Sequence, residues 1–168
     1  MALIVEDGTG LPNAESYASV AEADAHFSAR GSEAWDNVEN KEAALRLATD
    51  YMLQTYSGRW KGTRKTSTQA LDWPRYNVPL EDDPAWLTLL SSSIVPAQVK
   101  KATIELALIT TAGALVPNLE RAQASVSVGE ISVTYEGSSS QLPRYPMIDM
   151  ILSPLLASSG FTRQLVRT

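Results

Sequence analysis

The stretch from Pro96 to Gly113 constrains the fold more than any other part of the chain. Proline is tolerated at the first position of a helix because the amide there has no helical partner. After it, Val99, Ala102, Leu106 and Ile109 make one apolar stripe and Ile104, Leu108 and Leu115 a second, with charge confined to Lys100, Lys101 and Glu105. A helix apolar around almost its whole circumference has to be surrounded, so this one is expected at the centre of a helical core. The apolar run Leu106 to Val116 is interrupted by Thr110, Thr111 and Gly113. It falls short of the roughly 20 residues that span a bilayer, so its surroundings are protein. With 168 residues, one domain can bury roughly 70% of its unfolded surface and needs no disulfide or metal staple.

Other helices are available to wrap it. Ser19 stands three residues before Glu22, a capping box, and Val20, Ala23 and Phe27 follow as one stripe, giving a helix over about 19–29. Asn40 can cap a second helix over 41–56, whose Leu45, Ala48, Met52 and Tyr56 share a face and which stops at Ser57-Gly58. Pro146 opens a short, strongly apolar helix with Asp149 as its only charge, and Pro154 should kink or end it. Asp83 and Pro84 give a weaker helix signal running to Leu90.

Residues 57–95 form a connection that is long for a compact domain, and such segments are usually functional or disordered. This one holds Trp60, Trp73 and Trp86. Disordered chains are poor in aromatics, so it reads as an ordered arm or binding loop. Residues 125–135 carry the strand signal. With Gly129-Glu130 as a two-residue turn, Val128 opposes Ile131 and Val126 opposes Val133. A lone hairpin is marginal in water, so it needs the helices beneath it, and Leu3 to Val5 or a neighbouring subunit could extend its edge. The expected architecture is mainly α: about four helices in a small bundle, one β-hairpin, a long ordered loop and a flexible tail. Residues 1–156 make the domain and 157–168 the tail.

Chemistry is scarce. The chain has no cysteine and one histidine, which excludes thiolate metal sites, iron–sulfur clusters and cysteine nucleophiles. His26 lies four residues after Glu22 and could share its face, but a metal needs three or four ligands. Neither a G-x-S-x-G elbow nor a phosphate-cradling glycine loop occurs, so no enzyme activity and no cofactor are expected. Residues 1–7 lack the basic and apolar regions of a signal peptide, consistent with a soluble protein made in the cytoplasm.

The net charge of −5 is unevenly distributed. Residues 58–75 carry five bases and one acid, whereas the rest of the chain is acidic, with a sequence pI near 4.9. Duplex binders usually show a basic stripe and a high pI. The window Arg59, Trp60, Lys61, Arg64 and Lys65 mixes bases with an aromatic, the combination that holds single-stranded nucleic acid by charge and stacking together. A solvated basic loop, or one that meets an acidic neighbour, is the alternative.

Three strings carry a resemblance: Ala14-Glu15-Ser16-Tyr17, the loop Thr66 to Arg75 with its Q-x-L-x-W-P-R pattern, and Val128 to Tyr135. With Val95 to Ala102 they resemble a family of tailed-bacteriophage proteins found among the head and tail morphogenesis proteins. Many members are labelled DnaT-like single-stranded DNA-binding proteins, and the order of elements is similar to that of the head-to-tail connector adaptors. The resemblance covers about residues 13 to 156. It implies a structural protein of the virion neck, a homo-oligomeric ring of twelve copies. The ring would bind the portal protein on one side and a stopper or tail-terminator protein on the other, while genome DNA passes through the lumen without specific binding. On that reading Trp60, Trp73 and Arg75 are expected to anchor the subunit interface, because Trp and Arg dominate interface hot spots. Val126, Val128, Ile131 and Val133 would support the ring, and Phe161, Leu165 and Arg167 would dock on the portal. The second reading is a phage single-stranded DNA-binding accessory protein using Arg59, Trp60, Lys61, Arg64 and Lys65.

Overall fold

A computed structural model describes residues 2–80, 88–115, 125–128, 131–134 and 143–157. Four helices appear in the order expected: α1 Val20–Ser28, α2 Lys41–Tyr56, α3 Ala97–Thr110 and α4 Pro146–Leu152. The capping box forms in both directions, Glu22 N–H donating to Ser19 Oγ at 3.2 Å and Ser19 N–H to the Glu22 carboxylate at 2.8 Å. Asn40 caps α2 through the amide of Ala43. Beyond α2, Gly58 takes a positive φ of 77°, the left-handed conformation that lets the chain leave the helix without a Cβ penalty. Helix α4 stops at Leu152 and continues as a 3-10 turn, Ser153–Leu155, around Pro154.

Helix α3 packs along α2 and α4. Val99, Ala102, Ile104, Leu106 and Ala107 are buried, and Thr103 turns its hydroxyl inward onto the Val99 carbonyl at 3.0 Å. Burial is incomplete at the carboxyl end, where Leu108 and Ile109 are half-buried and residues 111–114 exposed. The buried face of the helix therefore runs from Val99 to Ala107 and no farther, a correction to the expectation of burial throughout. Helix α4 lies against α2 through an edge-to-face contact of Tyr145 with Tyr51 at 5.5 Å and a hydrogen bond from Tyr56 to Asp149 at 2.7 Å. Helix α1 is tied to α3 by Lys100–Glu22 at 2.6 Å and His26–Glu105 at 2.9 Å.

The hairpin forms in the expected register. Its strands, β3 Ser125–Val128 and β4 Ile131–Thr134, pair Val126 with Val133 and Val128 with Ile131. Val5 does not extend it; it bridges to Ser16 instead, as the first pairing of the amino-terminal loop. A second ribbon, which no sequence pattern announced, closes the arm: β1 Thr63–Arg64 pairs antiparallel with β2 Arg75–Tyr76. Farther along the arm Pro79 bridges Leu89, with Leu90 N–H donating to Val78 O at 2.8 Å. Thr88 to Leu90 are thus extended where a helix was expected, because Val78 to Leu80 supply partners for their backbone. Residues 83–87 of that expected helix lie outside the described residues.

Candidate functional site

The arm from Ser57 to Val95 holds most of the residues singled out from the sequence, and the structure turns them inward. Gln69, Leu71, Asp72, Trp73, Pro74 and Arg75 are all buried. Trp73 is fully covered and Trp60 is 5% exposed. The two rings meet edge-to-face at 5.7 Å, and Trp60 also leans on Tyr56 at 5.8 Å. Trp60 Nε1 donates to Asp72 Oδ2 at 3.1 Å. Among the described residues Trp73 Nε1 meets no oxygen or nitrogen acceptor. Both tryptophans are covered by their own chain, so neither presents the exposed ring that an interface anchor, or a platform for a base, requires.

The cations follow the same logic. Arg75 is 9% exposed and donates to three carbonyls, those of Lys61 and Gly62 at 2.8 Å and Asp72 at 3.1 Å. Burial pushes its guanidinium below the usual range, offset by the nearby Asp72 charge. Arg64 Nη2 donates to Gln69 O and Leu71 O, both at 2.8 Å, with Asp72 at 3.9 Å from its Nε. Lys65 Nζ donates to Gly8 O at 2.9 Å, and Lys61 Nζ to Pro154 O at 2.8 Å. Arg59 is exposed and lies over the Tyr56 ring at 5.3 Å. Carbonyls do not cancel the positive charge, but they occupy the donors, and phosphate would have to displace them. The guanidinium fork suits this use, because one planar group can serve several carbonyls at fixed angles.

Three further side chains, Gln69, Tyr17 and Glu6, complete the site. Gln69, 3% exposed, donates to Leu71 O and Pro74 O and accepts from Thr66 N–H, fixing the turn between β1 and β2. Tyr17 is fully buried, and its hydroxyl accepts from Asp72 N–H at 3.0 Å. Glu6 is 1% exposed; its carboxylate accepts from the amides of Gly8, Gly10 and Leu11 at 2.8–2.9 Å. That knot seats the amino-terminal loop on the arm, with Ala70 N–H donating to Leu11 O at 2.9 Å. Gly8 has φ 100°, and a Cβ there would come within 2.1 Å of Ser93 O, so backbone contact with the far end of the arm requires glycine. At the other end, Lys61 N–H donates to Leu155 O and Ala157 N–H to Arg59 O, stitching the arm to the turn after α4. The A-E-S-Y and Q-x-L-x-W-P-R strings thus meet inside one closed unit.

Two buried phenols give that unit a pH dependence. Burial, reinforced by the Asp72 carboxylate, holds the Tyr17 phenol well above its usual range, and burial with the Asp149 hydrogen bond does the same for Tyr56. The folded state therefore keeps both protons more tightly than the unfolded chain. The stability this confers is fully present below the unfolded phenol range, about pH 10, and is lost as pH rises above it. The urea midpoint should hold between pH 7 and 9 and fall steeply by pH 11, with a smaller fall in the Tyr17→Phe variant. An alkaline midpoint no lower than the neutral one would contradict this assignment.

The remaining candidates separate from the arm. His26 pairs with Glu105 of α3, while Glu22 is engaged by Lys100, so the two residues expected to share a face serve different partners. Among the described residues no group of three or more His, Cys, Asp or Glu side chains could hold a metal ion, and no helix is long and apolar enough to cross a membrane. The side chains of Val126, Val128, Ile131 and Val133, and all of Phe161, Leu165 and Arg167, lie outside the described residues. Large apolar side chains stand exposed elsewhere: Leu47 on α2 at 56%, Leu89 on the arm at 51%, and Met147 and Met150 on α4 at 44% and 68%.

Over residues 1–168 the chain matches the family described as "Putative DnaT-like ssDNA binding protein". No curated protein and no solved structure matches it.

Proposed function

We propose that this chain, which belongs to the DnaT-like family along its whole length, is a structural subunit of a tailed-phage particle, an adaptor in the ring that joins the capsid portal to the tail. The observation that supports it is the pair of exposed methionines one turn apart on α4, Met147 at 44% and Met150 at 68%, with Leu89 exposed on the arm. Exposed apolar groups mark protein contacts, and methionine adapts to irregular partners. A cyclic ring needs unlike surfaces on each subunit, since its contacts are heterologous. Twelve copies are what the resemblance implies. An acidic subunit also suits a channel for DNA, because like charges limit sticking. No catalytic step and no cofactor form part of this reading.

The family's description speaks more directly for the second reading, a single-stranded DNA-binding accessory protein. Its physical support here is the cluster Arg59, Lys61, Arg64 and Lys65, whose charge remains although the donors are engaged. Trp60 drops out of it, since a ring 5% exposed cannot stack on a base. Cryo-electron microscopy of particles carrying this chain separates the readings. A ring of this helical fold below the portal is the expected result. Its absence from mature particles, with salt-sensitive oligonucleotide binding by the free protein, would favour the accessory role.

A further inference from the structure

We propose that the groove between α2 and the carboxyl end of α3 seats this chain's own carboxyl-terminal segment, residues 161–167. The groove is open, with a volume of about 560 Å³. Tyr51 and Leu115 are its buried apolar lining, and Leu47, Asp50, Gln54 and Thr111 stand exposed around it. Among the described residues the Asp50 carboxylate has no ion pair or hydrogen-bond partner, and desolvation raises it above the ordinary range. The negative end of the α3 dipole lies at the same rim. An occupant should therefore bring apolar side chains for Leu47 and Tyr51 and positive charge for Asp50.

The segment after Ala157 has that composition in that order. Phe161, Arg163, Leu165 and Arg167 alternate with Thr162, Gln164 and Val166, and in an extended conformation the first four share one side. Reach is sufficient. Ala157 is pinned to Arg59 O, and Arg59 N–H turns back to Tyr56 O at the end of α2; Gln54 lies two residues before that end, about 3 Å along the helix axis. Four extended residues from Ala157 to Phe161 span up to about 13 Å. This assignment replaces the portal contact expected from the sequence with a partner inside the chain, and it holds whether or not a ring forms.

Because the chain has no cysteine, Gln164→Cys in the full-length protein offers a single attachment point for a nitroxide spin label. The amide signals of Leu47, Asp50, Gln54 and Thr111 should broaden and recover on reduction of the label. The broadening should be independent of protein concentration and disappear when Phe161→Ser and Leu165→Ser are added. It should also weaken with Asp50→Lys. Absence of broadening at these amides overturns the proposal, as does its persistence in the serine variant. Broadening seen only when labelled protein is mixed with isotope-enriched, unlabelled protein would assign the groove to a second copy and overturn it equally.

Discussion

Replacing Arg75 by alanine is expected to destabilise the domain by about 3 kcal/mol or more, since each buried acceptor left unsatisfied costs about 1–3 kcal/mol. Three carbonyls, of Lys61, Gly62 and Asp72, lose their donor together, and they hold the two sides of the β1–β2 ribbon and its connection in place. Arg75→Lys should recover little, because a compact ammonium cannot fork across carbonyls that a planar guanidinium spans. Urea unfolding followed by tryptophan fluorescence measures both. A loss below about 0.5 kcal/mol, the ordinary range for surface positions, would mean that Arg75 is free to serve a neighbouring subunit, as the sequence alone suggested.

Trp73→Ala should cost about 3–5 kcal/mol, the range for removing a large aromatic from a packed core. Its ring is fully covered and lies against Trp60, so the cavity would open beneath the whole arm. Trp73→Phe is expected to be much milder than Trp73→Ala, because the indole N–H has no acceptor to lose. This pair of variants distinguishes a core role from an interface role. An interface anchor would leave the stability of the isolated subunit unchanged on truncation and weaken assembly alone. Equal urea midpoints for wild type and Trp73→Ala would therefore contradict the burial described here.

Much of the helical framework was legible because its signals are local. The Ser19–Glu22 box, the Asn40 cap, the stop at Gly58 and the break at Pro154 each depend on residues within a turn of one another, and each appears in the structure. The β3–β4 register was legible for the same reason, a two-residue turn between alternating valines and serines. The arm was not. A tryptophan or arginine in a loop has the same letter whether it meets a partner or its own core, and here the deciding acceptors are backbone carbonyls brought close by the β1–β2 ribbon. Gln69 is buried, and Leu71 to Arg75 are buried without a break, so no period-two pattern marks an inward face. Three polar side chains in the Q-x-L-x-W-P-R string, Gln69, Asp72 and Arg75, disguise its burial. Glu6 was missed for a related reason: a carboxylate near an amino terminus reads as solvated until three amides are found around it.

These contacts bear directly on function, because the groups that would grip a nucleic acid strand are the groups that close the arm. The most direct test is the titration of a fluorescein-labelled single-stranded 30-mer into the free protein at low and at moderate salt, followed by anisotropy. No saturable binding is expected at low-micromolar protein, and no change when Arg64→Ala or Lys65→Ala is introduced. Binding at about micromolar affinity that falls with log salt at roughly −0.7 per phosphate contact, and that weakens in those two variants, would contradict it and establish the arm as the single-strand surface.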